Sequence, residues 1–179
     1  MMGRALLIVG VMGTLGLIAS AVMGYALQGP LGPEMQRHVL VSLASSLLLL
    51  FSHCWIMFYL IGTGKAIKDT VKEYGMDPAI IEETKRFKND SYPSMMLAMT
   101  LTMATFILGG GAATGSLPSW VHHGLFFAAL VVQLRSLWIE KKVLDENERL
   151  MMDVDRRAVS PAVLPPKSPT APRTGRAKA

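Results

Sequence analysis

Between His38 and Gly64 the chain runs for 27 residues, HVLVSLASSLLLLFSHCWIMFYLIGTG, without an Asp, Glu, Lys or Arg. As a helix this stretch is about 40 Å long, more than the roughly 30 Å hydrocarbon core of a bilayer. It therefore predicts a membrane crossing, with some tilt or with one end projecting. Composition agrees. Hydrophobic residues make up 51% of the 179, charged ones 17%, and the mean hydropathy is +0.36. A soluble domain usually carries more charge and spreads it evenly. Here charge gathers at Glu34 and Arg37, in Lys65–Asp90, and from Arg135 onward. The net charge of +5 is then a topology signal, and it implies no nucleic-acid partner. A single cysteine, Cys54, excludes an internal disulfide and any Cys-rich metal motif.

Three further apolar segments accompany this one. The first covers 5–27 and stops before Gly29, Pro30, Gly32 and Pro33. Gly16, Ser20 and Gly24 fall four apart on one face of it, with Gly13 nearby, so another helix can approach closely. Glycine is also simply common in such helices. A secretory signal peptide is the other reading of this segment, with Arg4 ahead of the apolar run and Ala19-Ser20-Ala21 as cleavage site. The apolar run continues well past those alanines, which favours an uncleaved span. The second span covers 38–62. Residues 91–134 carry no charge and are too long for one crossing. The break GGGAATGSLPSW divides them into spans 93–112 and 118–138, with Pro93 at the first position of the third helix. Trp120 and Trp138 fall where interfacial aromatic belts belong, and Arg135 snorkels.

The expected fold is all-α: an antiparallel bundle of four transmembrane helices with short cytoplasmic helices, over residues 1–159. Basic residues gather between spans two and three and after span four, so the positive-inside rule puts both regions and both termini in the cytoplasm. An inner or plasma membrane is implied. The loop 65–91 reads as structured. The second helix continues to Gly75, a C′ stop. Asp77-Pro78 is an N-cap followed by proline at N1, and Met76 and Ile81 are spaced for a hydrophobic staple. A short helix then runs to about Phe87, its acids early and its bases late. The fourth helix extends into the cytoplasm over 139–155. Residues 160–179, rich in proline and basic residues and without acid, form a disordered tail attracted to anionic lipid.

Polar groups inside a bilayer are costly, so they are the candidate site residues. His38, Ser42, Ser45 and Ser52/His53 make one polar stripe on the second helix, expected to face the interior. His53 lies 15 residues from His38, about 22 Å along the axis. Counting equal depths along opposed helices brings Gln133 level with His53, with Met95, Met96 and Met12 around them. A buried hydrogen bond fixing register is the plain reading of that layer, and a proton or quinone site the sharper one. A second layer sits nearer the outer surface, where His38 opens the second helix and His122 and His123 lie one turn inside the fourth. These offer axial ligands for a b-type haem, which takes imidazoles from facing helices. Wet interfacial histidines are the plain alternative, and a His/Glu34 copper or zinc site a third. His38 and His53 also have a two-haem spacing, but the fourth helix has Ser136 and Leu137 where the second partner is needed. That leaves His53 with a methionine as the fallback pair.

Two motifs lead nowhere. Gly62-Thr63-Gly64-Lys65 lacks the earlier glycine of a phosphate loop, since Tyr59 occupies that place. Cys54 sits in apolar surroundings that disfavour its thiolate. Three function classes follow: a non-catalytic subunit or scaffold of a larger membrane complex, a b-type haem or quinone-binding anchor of a redox complex, and a small transporter. The expected partners are the lipid bilayer and other membrane subunits. With no acidic residue inside any predicted span and no inverted repeat, the transporter has least behind it.

Overall fold

The computed structural model of the chain describes residues 2–26 and 32–159. Those residues form four helices: α1 (Met2–Ala26), α2 (Pro33–Glu73), α3 (Ala79–Ala113) and α4 (Ser119–Val159). There is no strand among the described residues. α1, α2 and α3 are each long and apolar enough to cross a membrane. The basic tail at 160–179 lies outside the described residues.

α1 and α2 run in opposite directions, since Gly24 faces His38 while Gly10 faces Ser52. The contact is close because α1 presents small residues there. A Cβ at Gly13 would stand 2.8 Å from Leu49 Cγ and 3.2 Å from the Leu49 backbone nitrogen. A Cβ at Gly16 would overlap Ser45 Oγ. Ser20 continues the same face, its hydroxyl bonded to Ser42 and 3.1 Å from His38 Nδ1. Between helices in lipid, packing of this kind replaces the hydrophobic drive that operates in water. The α2 hydroxyls are satisfied locally: Ser42 donates to His38 O, Ser45 to Val41 O and Thr63 to Tyr59 O. Each such bond spares a polar group from facing hydrocarbon alone.

At the other end, α2 runs on through Lys65–Glu73 and stops at Gly75, whose φ of +62° suits glycine. Asp77 Oδ1 accepts the Ala79 N–H at 2.9 Å, capping the start of α3. Met76 and Ile81 pack with Ile67, Val71, Ile80 and Val154. A larger cluster of Ile56, Leu60, Phe87, Met95, Val143 and Leu144 joins it along the same seam. α1 begins where Gly3 meets Leu144 and Tyr59, so this end is a three-helix extension of α2, α3 and α4. Lys141 donates to Asp145 and holds that carboxyl below its usual value.

The α3 region corrects one expectation. The short loop helix and the third span, anticipated as separate with Pro93 opening the latter, form one 35-residue helix with Pro93 inside it. Proline removes the N–H that would bond the Asn89 carbonyl. Asn89 and Pro93 are both exposed, so that carbonyl can turn to water or headgroups rather than remain unpaired in the core. Gly62 and Gly64 likewise lie within continuous α2, and Gly64 faces Thr84 of α3.

The α1–α2 contact predicts a contrast. Gly13→Ala must displace Leu49 and its backbone, and should destabilise the folded chain by about 1–3 kcal/mol. Gly62→Ala, with nothing within 4 Å of the new Cβ, should be neutral or slightly stabilising. Unfolding of both variants in mixed micelles measures the difference.

Candidate functional site

The deepest polar cluster is built on the α2–α4 seam. His53, Gln133, Ser136 and Glu140 are all fully buried. His53 Nε2 lies 3.1 Å from Gln133 Oε1, and His53 Nδ1 lies 2.8 Å from Glu140 Oε1. The Ser136 hydroxyl donates to the same carboxyl oxygen at 2.8 Å. Gln133, Ser136 and Glu140 share a face because they fall at i, i+3 and i+7 of one helix. On α1, the Leu6 carbonyl accepts the hydroxyl of Ser52 at 2.8 Å. Three buried atoms of this cluster, His53 Nδ1, Gln133 Nε2 and Glu140 Oε2, have no hydrogen bond of good geometry, and for Nδ1 the 2.8 Å approach of Glu140 Oε1 stands in its place. Seven residues past Glu140, Asn147 Oδ1 lies 3.1 Å from the Thr63 hydroxyl and continues the seam.

Sequence reasoning placed Gln133 beside His53 but left out Glu140, which falls two residues past the expected end of the fourth span. The signal was its position two turns beyond Gln133, on the stripe that includes Ser136. The expected ring of methionines is partial. Met95 is buried, whereas Met12 and Met96 are more than half exposed, because Gly10 and Gly13 take the inward face of α1. His53 faces Gln133 and Glu140 with its two ring nitrogens, not a methionine sulfur. Cys54, next to it, is exposed on the outer surface of α2, its sulfur 3.9 Å from Met99 Sδ.

The second site is a cavity of about 620 Å³ at the end of the bundle away from the α2–α3 turn. All four helices line it, with His38, His122 and His123 on its wall and Ser46, Thr102 and Ala129 towards the buried cluster. His38 and His122 are held alike. His38 Nδ1 sits 2.8 Å from the Ser20 carbonyl of α1, and His122 Nδ1 3.1 Å from the Thr105 carbonyl of α3. A carbonyl accepts only, so each Nδ1 carries a proton, and in the neutral ring the lone pair is then on Nε2. Each ring also lies against a glycine: a Cβ at Gly24 would stand 3.0 Å from His38 Cε1, and one at Gly109 2.9 Å from His122 Cε1. Both imidazoles line the same cavity. His123 is used differently, packed on Tyr25 with ring centroids 4.9 Å apart. Gly16, Ser20 and Gly24, singled out for helix packing, therefore lie against α2, and Ser20 and Gly24 also frame His38. No group of three or more metal-ligating side chains occurs among the described residues. No family model, curated protein or solved structure matches the chain.

The buried cluster predicts strong coupling. Removing one member of a buried pair leaves the other uncompensated, so Glu140→Leu or His53→Leu alone should cost about 3–5 kcal/mol. The double replacement should cost clearly less than the two together. Equilibrium unfolding of the single and double variants in mixed micelles yields the coupling energy.

Proposed function

We propose that this chain is a multi-pass membrane protein that carries a b-type haem between His38 and His122, as the cofactor-holding anchor of a redox complex. The observation behind the proposal is the matched pair of imidazoles. Each stands on a different helix, each has its Nδ1 proton given to a carbonyl of a third or fourth helix, and each is cradled by a glycine. An Nδ1–H bonded to a fixed carbonyl sets the tautomer and ring direction of a ligating histidine and raises its basicity. The cavity volume lies within the roughly 300–1,000 Å³ typical of sites for small molecules and cofactors. Four helices enclosing one cofactor with ligands from facing helices is a known use of a bundle.

A haem held by His38 and His122 would supply reversible one-electron transfer. The chain's own part is to hold two imidazoles by their Nδ1–H bonds to carbonyls and to exclude water with the apolar wall around Leu17, Phe106 and Phe126. In this reading α4 is the fourth span, the α2–α3 turn and both termini are cytoplasmic, and the haem lies in the outer half of the membrane. The basic residues of Lys65–Asp90 and of the α4 extension support that orientation. The apolar surface of the spans, including Phe51, Trp55 and Phe58 on α2, faces lipid and companion subunits.

The visible spectrum is the test. Protein produced with adequate haem should show a Soret band that sharpens on reduction. His38→Ala and His122→Ala should each abolish or strongly shift it, His123→Ala should keep it, and Gly109→Leu should lower haem occupancy. A fully haem-supplied preparation with no Soret band would refute the proposal and return the chain to a non-catalytic subunit. The orientation has its own check. In a Cys54→Ser background, single cysteines at Gly75 and Ser116 should label from opposite faces of sealed vesicles, Gly75 from the cytoplasmic face.

A further inference from the structure

The buried cluster on the α2–α4 seam has no part in holding the haem. Its chemistry follows from which atoms face which. Glu140 Oε1 receives the Ser136 hydroxyl and the approach of His53 Nδ1. Gln133 turns its carbonyl oxygen, an acceptor only, to His53 Nε2. With that orientation Nε2 must carry a proton. The 2.8 Å contact between Nδ1 and Glu140 then requires a second proton, either on the imidazole or on the carboxyl. The cluster is thus neutral overall, as an imidazolium–carboxylate or an imidazole–carboxylic acid pair. Loss of one proton leaves Nδ1–H on the carboxylate and a bare Nε2, and Nε2 can then be satisfied only if Gln133 rotates its amide to offer N–H. Gln133 Nε2 has no partner in the present arrangement, so no existing hydrogen bond opposes that rotation.

We propose that His53, Glu140, Gln133 and Ser136 form an internal site that takes up and releases one proton, with the Gln133 amide rotating as the occupancy changes. The loaded form is the one whose contacts the structure displays. The shared proton lies between Nδ1 and Glu140 Oε1, since on the unpartnered Oε2 it would leave two acceptors facing each other at 2.8 Å. Among the described residues no other titratable group faces His53. Glu140 is the group whose charge acts on His53. α1 brings Gly10 and the Leu6 carbonyl, which is taken by Ser52. α3 brings the apolar Met95 to the core beside Ile56. The nearest charges on α4, Arg135 and Lys141, are exposed, and Lys141 is paired with Asp145. The Thr63–Asn147 bond two turns past Glu140 is the next polar step towards the α2–α3 turn. This site stands whether or not a haem is bound.

Nitrogen NMR of the full-length protein, labelled at histidine and glutamine side chains and held in nanodiscs, tests the proposal. His53→Gln identifies the His53 signals among the four histidines. Over the pH range in which the protein stays folded, His53 should pass from a doubly protonated or carboxyl-sharing form to a neutral Nδ1–H imidazole in a single step. The Gln133 amide should shift with the same midpoint. Glu140→Gln should leave His53 singly protonated throughout, and Glu140→Asp, which keeps the carboxylate, should restore the step. His53 signals that do not move with pH, a Gln133 amide that does not follow them, or a Glu140→Gln variant titrating like the parent would each overturn the proposal. The wild-type titration decides the matter even if a variant fails to fold.

Discussion

In a bilayer, helices gain almost nothing by hiding apolar side chains from one another, because lipid is as apolar as leucine. What selects a partner and a register is close backbone approach and the pairing of polar groups. This chain uses both, in different places. Glycines of α1 let α2 come close at Leu49 and Ser45, while His53, Gln133 and Glu140 lock α2 to α4. Shifting α2 by one residue would turn Ser45, Leu49, Ser52 and His53 away from these partners together. Register and polar satisfaction are thus one constraint.

The same residues divide the bundle into two levels with different chemistry. At one end, histidines have their Nδ1 protons fixed by backbone carbonyls and their remaining nitrogens free beside a cavity. Deeper in, a histidine has its two nitrogens facing side chains rather than backbone. Carbonyls can only accept, so they freeze a tautomer. A carboxyl and an amide can each play donor or acceptor, so they leave it changeable. One level suits holding an object still, and the other suits changing protonation.

Much of the helical outline was readable from charge-free runs and punctuation. Gly75 and Asp77 mark a turn because glycine and Asx chemistry act locally, whereas Gly109-Gly110-Gly111, read as the start of the break, lies inside α3 and the turn comes at Gly115. Pro93 misled, because proline reads as a helix start unless the freed carbonyl is known to be exposed. Depth counting put His53 and Gln133 level, and the structure has them 3.1 Å apart. Glu140 went unnoticed because a carboxylate two residues beyond an apolar run looks like the first solvated residue. Only the packing of α2 and α3 around α4 shows that the bundle core continues past that point. How His122 and His123 differ was equally closed to sequence, since adjacent residues on a helix point about 100° apart and only the neighbours set one on the Thr105 carbonyl and the other against Tyr25.

α2 and α4 run side by side in the same sense, since His53 meets Gln133 at one level and Thr63 meets Asn147 further along. Each is an unbroken rod of 41 residues, about 60 Å long. The His53–Glu140 contact ties the pair part-way along. With His38 about 22 Å from it, a relative tilt of about 5° opens or closes the gap between the histidine-bearing ends by about 2 Å. Whatever grasps the far ends of these rods therefore has a lever on the spacing of His38 and His122.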